Sequence, residues 1–237
     1  VPDTTTKIAF KDGDTQFQDA GVTWIMNPYD EMAITRALEL TEQLGGSVTT
    51  ITVGLADTEP VIRKALAVGA QDAVRINTAA TDAMQVAHEI ASYCKSESYD
   101  LIFTGRESID YNGGLVAGLL SELLQVPSIN VVTKIEINGT TVRAERDIDG
   151  GREILECSMP MVLSAQKEFA EPRIPNMRGI MAARTKTLKI VEASITPGNT
   201  SKHEKFELPK AKQGVRMIDA ENAGLLIELL RNEAKVI

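Results

Sequence analysis

The chain has 237 residues, 43% of them hydrophobic, and a formal net charge of −8 at pH 7. That length holds one large α/β domain or two small ones with an ample core, and the acidic balance argues against nucleic acid or an anionic membrane as the main partner. No apolar run approaches membrane-spanning length and no signal-peptide pattern opens the chain, which suits a cytoplasmic protein. Two cysteines, Cys94 and Cys157, are too few for a disulfide framework, lack metal-site spacing and read as small buried apolar residues. Two histidines, His88 and His203, leave histidine-based catalysis or a multi-histidine metal site almost nothing to work with.

The chain opens at Val1-Pro2-Asp3-Thr4 with no strand before it. An α/β sheet usually begins with its own first strand, so a short preceding segment is expected. Asn27-Pro28-Tyr29-Asp30-Glu31 reads as a helix start. Asn27 is placed to accept N–H bonds as N-cap, Pro28 suits the first helical position, and Asp30 and Glu31 complement the dipole. Ile34, Ala37, Leu38, Thr41 and Leu44 keep helical spacing up to Gly45-Gly46. Val48 to Val53 is a β-branched strand. A second helix carries Val61, Ile62, Ala65 and Leu66, with Gly69 beyond its end, and Ala73 to Ile76 is a short strand. Helix three carries Val86, Ala87, Ile90 and Ala91, and His88 lies off that stripe as a solvated or half-buried side chain. A strand at Leu101 and a helix containing Leu115, Leu119, Leu120 and Leu123 follow. Three β-α units in succession predict a parallel sheet covered on both faces.

After Pro127 the pattern changes. Ile129 to Ile137 is strand-like, Asn138-Gly139 is a hairpin turn, Thr141 to Glu145 returns beside it, and Asp149-Gly150-Gly151 marks a second turn. Arg152 to Leu155 and Met161-Val162-Leu163 complete an antiparallel extension on the sheet edge. From Phe169 the chain reads as irregular and basic. Pro197 to Gln213 is polar without periodicity, and an amphipathic helix is expected from Ala220 to Arg231, with Ala223, Leu226, Ile227 and Leu230 on one face. The fold expected is therefore α/β: a doubly wound, mostly parallel Rossmann-like sheet with an antiparallel extension. Residues 1–190 form a nucleotide-binding domain, and residues 191–237 form a C-terminal arm that needs a partner surface for its apolar stripe.

The segment that carries chemistry is Leu101-Ile102-Phe103-Thr104 followed by Gly105-Arg106-Glu107-Ser108-Ile109-Asp110-Tyr111-Asn112-Gly113-Gly114 and an apolar helix. Buried strand, glycine-bearing loop and helix start together make an anion cradle, because glycines admit a phosphate and the first-turn N–H groups point at it. The loop meets neither G-x-G-x-x-G nor G-x-x-x-x-G-K-[ST], so an ordinary strand–loop–helix connection stands beside the nucleotide reading.

Several segments in order resemble the β subunit of electron-transfer flavoprotein. They are Val1-Pro2-Asp3-Thr4, Asn27-Pro28-Tyr29, Arg63-Lys64-Ala65-Leu66-Ala67-Val68-Gly69-Ala70 and Gly105-Arg106-Glu107-Ser108-Ile109-Asp110. The most specific is Ala144-Glu145-Arg146-Asp147-Ile148-Asp149-Gly150-Gly151-Arg152-Glu153-Ile154-Leu155 leading to Pro160-Met161-Val162-Leu163. Ser164 stands where the pattern has Thr, Ala or Cys, and Glu171-Pro172-Arg173 and Arg178-Gly179-Ile180-Met181 extend the likeness. The resemblance implies a heterodimer with an α subunit that carries electrons from acyl-CoA or other dehydrogenases to an acceptor. The redox-active FAD would sit mainly on the α subunit near this chain, which would hold AMP structurally or, in electron-bifurcating members, a second FAD. It implies nucleotide contacts from Asn27, Pro28, Tyr29, Asp30, Val53, Thr104, Gly105, Arg106, Ser108, Asp110, Asn112, Gly113, Gly114 and Leu115.

The family continues after I-D with acidic residues and then Thr and Gln, whereas this chain has Tyr111-Asn112-Gly113-Gly114-Leu115-Val116. Side-chain donors are thereby lost, leaving the backbone N–H groups of Asn112 to Leu115 and the Asn112 amide, while Arg106 supplies either charge or a salt bridge. Residues 169–184 resemble a loop that docks dehydrogenases, with Pro172, Arg173, Met177 and Arg178 at the partner surface and Met177 in the place of a leucine anchor. The alternative there is a Pro-rich surface loop with an incidental Met. No residue is assigned as acid, base, nucleophile or metal ligand; the cofactor supplies the redox chemistry. Two rivals share the architecture. An ATP-using hydrolase-type enzyme would show a Ser/Gly-rich pyrophosphate loop after Val1-Pro2-Asp3, and a stress-type ATP-binding homodimer a late Gly/Ser/Thr run, which Ser164 onward does not supply.

Overall fold

The computed structural model describes residues 1–194, 200–211 and 214–237. The elements in order are β1 (Phe10–Lys11), β2 (Gln16–Phe17), α1 (Pro28–Leu44), β3 (Thr49–Val53), α2 (Glu59–Val68), β4 (Asp72–Asn77), α3 (Ala83–Cys94), β5 (Leu101–Gly105) and α4 (Val116–Leu124). They continue with β6 (Ser128–Asn138), β7 (Thr141–Ile148), β8 (Gly151–Ser158), β9 (Met161–Ala165), α5 (Met177–Ala183), β10 (Leu188–Glu192) and α6 (Ala223–Glu228).

Beyond the short β1–β2 hairpin, the strands form two sheets rather than one unbroken ladder. One has the order β10-β4-β3 and is wholly parallel; the other has the order β5-β9-β6-β7-β8. In the second, β9 lies parallel between β5 and β6, and β7 and β8 add antiparallel strands. The sheets share their helical cover. Ile34 and Leu38 of α1 pack with α2 over β4, while Ala33 of the same helix packs over β6 and β9. On the opposite face, Val86 and Tyr93 of α3 cover β3 and β4, and Ala87 and Ala91 pack with α4 over β9. Burying apolar stripes on both faces in this way is what makes the fold doubly wound. β3 and β5 are each an end strand of their sheet, and no ladder joins them.

The helix and turn signals act as their chemistry dictates. Gly45 closes α1 at φ +84 with its N–H on the Thr41 carbonyl, and Gly139 and Gly150 take positive φ in the β6–β7 and β7–β8 turns. His88 is exposed, Cys94 is buried and Cys157 is half-buried against the β6–β9 core.

Three departures from the sequence reading stand out. The stretch read as irregular contains α5, whose start is capped by the Asn176 side chain accepting from the Gly179 N–H at 2.8 Å, and it leads into β10, which pairs with β4. The expected 220–231 helix is broken into a 3-10 turn, the six-residue α6 and a wide turn at Leu229–Glu233, and none of these buries a residue. An amphipathic segment without a surface to cover gains too little to hold a regular helix. Of the polar stretch from Pro197 to Gln213, residues 197–199 and 212–213 lie outside the described residues. Within it, Thr200 and Ser201 fold back to bond Asp82, and Phe206 stacks on Phe10 with ring centroids 5.0 Å apart.

Candidate functional site

The N-terminus of α1 and the loop after β5 are built into each other. Asn27 was expected to cap α1 with its side chain, but makes no such bond. Its buried carboxamide instead bridges to the loop, with Nδ2 donating to the Glu107 carbonyl at 2.9 Å and Oδ1 accepting from the Ile109 N–H at 3.2 Å. The loop offers two main-chain groups at the right separation, and a buried carboxamide without partners would be costly. Asp30 accepts the Gly105 N–H at 2.6 Å. Burial pushes the Asp30 carboxyl above its ordinary range, with the Gly105 and Asn27 hydrogen bonds pulling the other way. A Cβ on Gly105 would lie 2.8 Å from Asp30 Oδ1 and 2.9 Å from the Tyr29 Cβ, so only glycine lets β5 end this close to α1. Pro28 sits in the first turn of the same helix.

Within the loop, Ser108 N–H donates to the Gly113 carbonyl at 3.0 Å and Asn112 N–H to the Ser108 carbonyl at 2.8 Å. Asn112 takes φ +58, a conformation Asn tolerates better than most residues. This corrects the sequence reading at Asn112: its N–H is consumed inside the loop, and its carboxamide leans toward Glu107 at 3.5 Å. Arg106 lies over the Tyr29 ring, bonds Gln166 and pairs with Glu107 at 3.1 Å, so of its two expected roles the salt bridge is formed. Thr104 bonds the Gly105 carbonyl through its hydroxyl, and Asp110 accepts from the Tyr111 N–H. Val53 stands apart: it belongs to the other sheet, and its side chain is buried with Val74 and Ile76 on the α3 face.

An adenine nucleotide needs donors for its phosphate and room for the main chain to approach. Among the described residues, the N–H groups of Gly113, Gly114, Leu115 and Val116 donate to no backbone acceptor. In the same loop the Ser108 hydroxyl is buried without a partner. Gly114 packs so closely that a Cβ would stand 3.0 Å from the Arg106 carbonyl oxygen. The residues present fit a phosphate. Tyr111, which the sequence reading did not single out, is 62% exposed with its ring against Gly113. Two cavities lie elsewhere and share no lining residue with this loop, one of about 160 Å³ beside Glu89 and Ser194 and one of about 400 Å³ between Cys94 and Leu124. Among the described residues no cluster of three or more His, Cys, Asp or Glu could hold a metal, and no helix is long and apolar enough to cross a membrane.

A family model, the electron transfer flavoprotein domain, matches residues 14–196. The chain belongs to the electron transfer flavoprotein family. It is 39% identical to "Electron transfer flavoprotein subunit beta" of Bacillus subtilis, across 99% of this chain and 96% of that one. It is 35% identical to the protein of the same name from Syntrophomonas wolfei, across 99% and 94%. Likeness to the Dictyostelium discoideum protein of that name is 28%, across 100% and 96%. Electron transfer is thus the role of the family, and flavin is involved in it.

In this flavoprotein-family chain the 169–186 segment has a fixed base and an exposed tip. Phe169 is fully buried against Phe103, with the Arg36 guanidinium over its ring and on its carbonyl. Arg173, expected at the partner surface, forks onto the Glu42 carboxylate of α1 at 2.6 and 2.7 Å, and its N–H reaches Thr35 Oγ1. Arg63 of α2 donates to the Ala183 and Lys186 carbonyls, and Lys186 donates to those of Leu66 and Ala70. On this base Ile174 is 92% exposed, Met177 73% and Met181 55%; Arg178 is exposed beside them and Pro172 is half-buried.

Proposed function

We propose that this chain is the β-type subunit of a cytoplasmic electron transfer flavoprotein and holds an adenine nucleotide, AMP, in the loop between β5 and α4. The observation that carries the reading is a set of unused donors: the N–H groups of residues 113–116, where α4 begins, donate to no backbone acceptor. They would take the phosphate, while Asn27, Pro28, Tyr29 and Asp30 hold the loop from below. FAD bound mainly by an α subunit supplies the electron chemistry when present. This chain's residues bind and orient, and none acts as acid, base or nucleophile.

The segment 191–237 would pack on the α subunit, which explains why Leu226 and Ile227 remain 44% and 50% exposed here. Ile174, Met177, Met181 and Arg178 would dock acyl-CoA or other dehydrogenases, with Met177 as a pliable anchor. The names of the relatives support the same assignment. Co-expression with an α subunit, followed by release and quantification of nucleotides, tests it. One FAD and one AMP per heterodimer is the expected result. Two FAD would assign the site to a second flavin, and no adenine nucleotide beyond the first FAD would overturn the site.

A further inference from the structure

Tyr111 is out of place by ordinary surface chemistry. Its ring is 62% exposed, yet its Cε2, Cζ and Oη atoms stand 2.4, 2.5 and 2.6 Å from the point a Gly113 Cβ would occupy. Gly113 takes no positive φ, so its backbone would accept alanine, and the tyrosine ring is what excludes a side chain there. The phenol thus packs against Gly113, the first of the four residues whose N–H groups donate to no backbone acceptor. Its hydroxyl has no hydrogen-bond partner among the described residues, whereas Asp110, Asn112 and Ser108 beside it are engaged through their own side chains or backbones. A hydroxyl able to donate, set beside residues whose N–H groups are unused, matches a ligand rich in acceptor oxygens.

We propose that the Tyr111 hydroxyl is a binding residue of the site and donates to a phosphate oxygen of the adenine nucleotide, with Gly113 kept side-chain-free so that the phenol can lie there. This rests on the nucleotide reading above and assigns to it a side-chain donor from a residue that the resemblance did not name. The local sequence lacks threonine and glutamine at the helix start, and a phenol reaching back from two residues earlier restores one neutral donor.

The test is the rate at which AMP leaves the αβ heterodimer into nucleotide-free buffer, compared for wild type, Tyr111→Phe and Gly113→Ala. A neutral donor to a charged oxygen predicts release about tenfold faster in Tyr111→Phe, which keeps the ring and loses only the hydroxyl. Gly113→Ala keeps the hydroxyl but displaces the ring, and should release AMP faster by a similar factor. Unchanged release in Tyr111→Phe, or slower release in either variant, overturns the proposal, the second outcome marking the ring as an obstruction. Wild-type heterodimer devoid of AMP overturns the nucleotide reading itself and this inference with it, so the two failures are told apart by the wild-type arm alone. Near-ultraviolet circular dichroism of all three proteins separates a local loss from misfolding: unaltered spectra with faster release support the assignment, and faster release only in variants that have lost their native spectrum overturns it.

Discussion

Gly179 lies inside α5, and a Cβ there would stand 2.3 Å from the carbonyl oxygen of Ala67 on α2. That neighbour is main chain in a packed helix, so no rotamer change relieves the clash and the two helices must separate. Gly179→Ala therefore sets two effects against each other. Alanine gains about 1 kcal/mol of helix propensity over glycine, while forcing a carbon into a filled contact costs about 1–3 kcal/mol. The bonds from Arg63 and Lys186 hold α5 against α2, which closes the easy route of relaxation, so the steric cost should exceed the gain. A net loss of about 1 kcal/mol corresponds to a Tm lower by about 2–4 °C for a chain of this length. Gly118 in α4 supplies the contrast: nothing lies within 4 Å of its Cβ position, so Gly118→Ala should stabilise by about 0.5–1 kcal/mol. Calorimetric melting of the two variants beside wild type reads both signs. If Gly179→Ala melted at or above wild type, as Gly118→Ala should, the close approach of α5 to α2 would be refuted.

Phe169→Ala removes a fully buried ring that touches Phe103 and Arg36, and urea denaturation should show a loss of about 3–5 kcal/mol. Met177→Ala and Ile174→Ala should leave stability within about 0.5 kcal/mol, because both side chains are exposed, yet raise the KM for electron transfer from a dehydrogenase; an unchanged KM would remove them from docking. Asp82 accepts from Gln85, Thr200 and Ser201, and these bonds hold its carboxyl down at about 2. Stability from a depressed carboxyl is complete above its unfolded value near 4 and lost as pH falls through about 2. Protease protection of the 200–206 segment should therefore persist at pH 4 and fade toward pH 2, while Asp82→Ala should abolish it at every pH. For Asp30 the sign reverses. Burial raises its carboxyl, so stability falls as pH climbs from the ordinary carboxylate range through the raised value, and Asp30→Asn should flatten that part of the stability–pH curve.

The β-α units were legible because their periodicity and punctuation are local: Pro28 at a helix start, Gly45 at its end, β-branched residues in β3, Asn138-Gly139 in a turn. What escaped depends on distant neighbours. Asn27 looks like a cap in sequence, but loop carbonyl and N–H groups eighty residues away claim its side chain. The sequence around α5 carries two prolines and a glycine, and its helix exists because α2 offers a surface to it. β10 looks like part of a basic tail until β4 is available to pair with it. On α3, Gln85 and Glu89 are buried although their types suggest solvent; the Glu89 carboxylate accepts from the Ser194 N–H and hydroxyl beyond β10. In the loop after β5 the candidate donors were legible as a group, but which of them remain free was decided by the left-handed turn at Asn112.

One helix serves both ends of the molecule. The first turn of α1 holds the β5–α4 loop through Asn27 and Asp30, and its later turns hold the 169–173 segment through Thr35, Arg36 and Glu42. Seventeen residues at about 1.5 Å each make a strut of roughly 25 Å. Because a helix resists stretching, whatever grips the apolar tip is kept at a set span from whatever rests in the loop. A partner that seized the tip and a ligand resting in the loop would then be braced by one and the same rod, so that a pull on the first need not disturb the second.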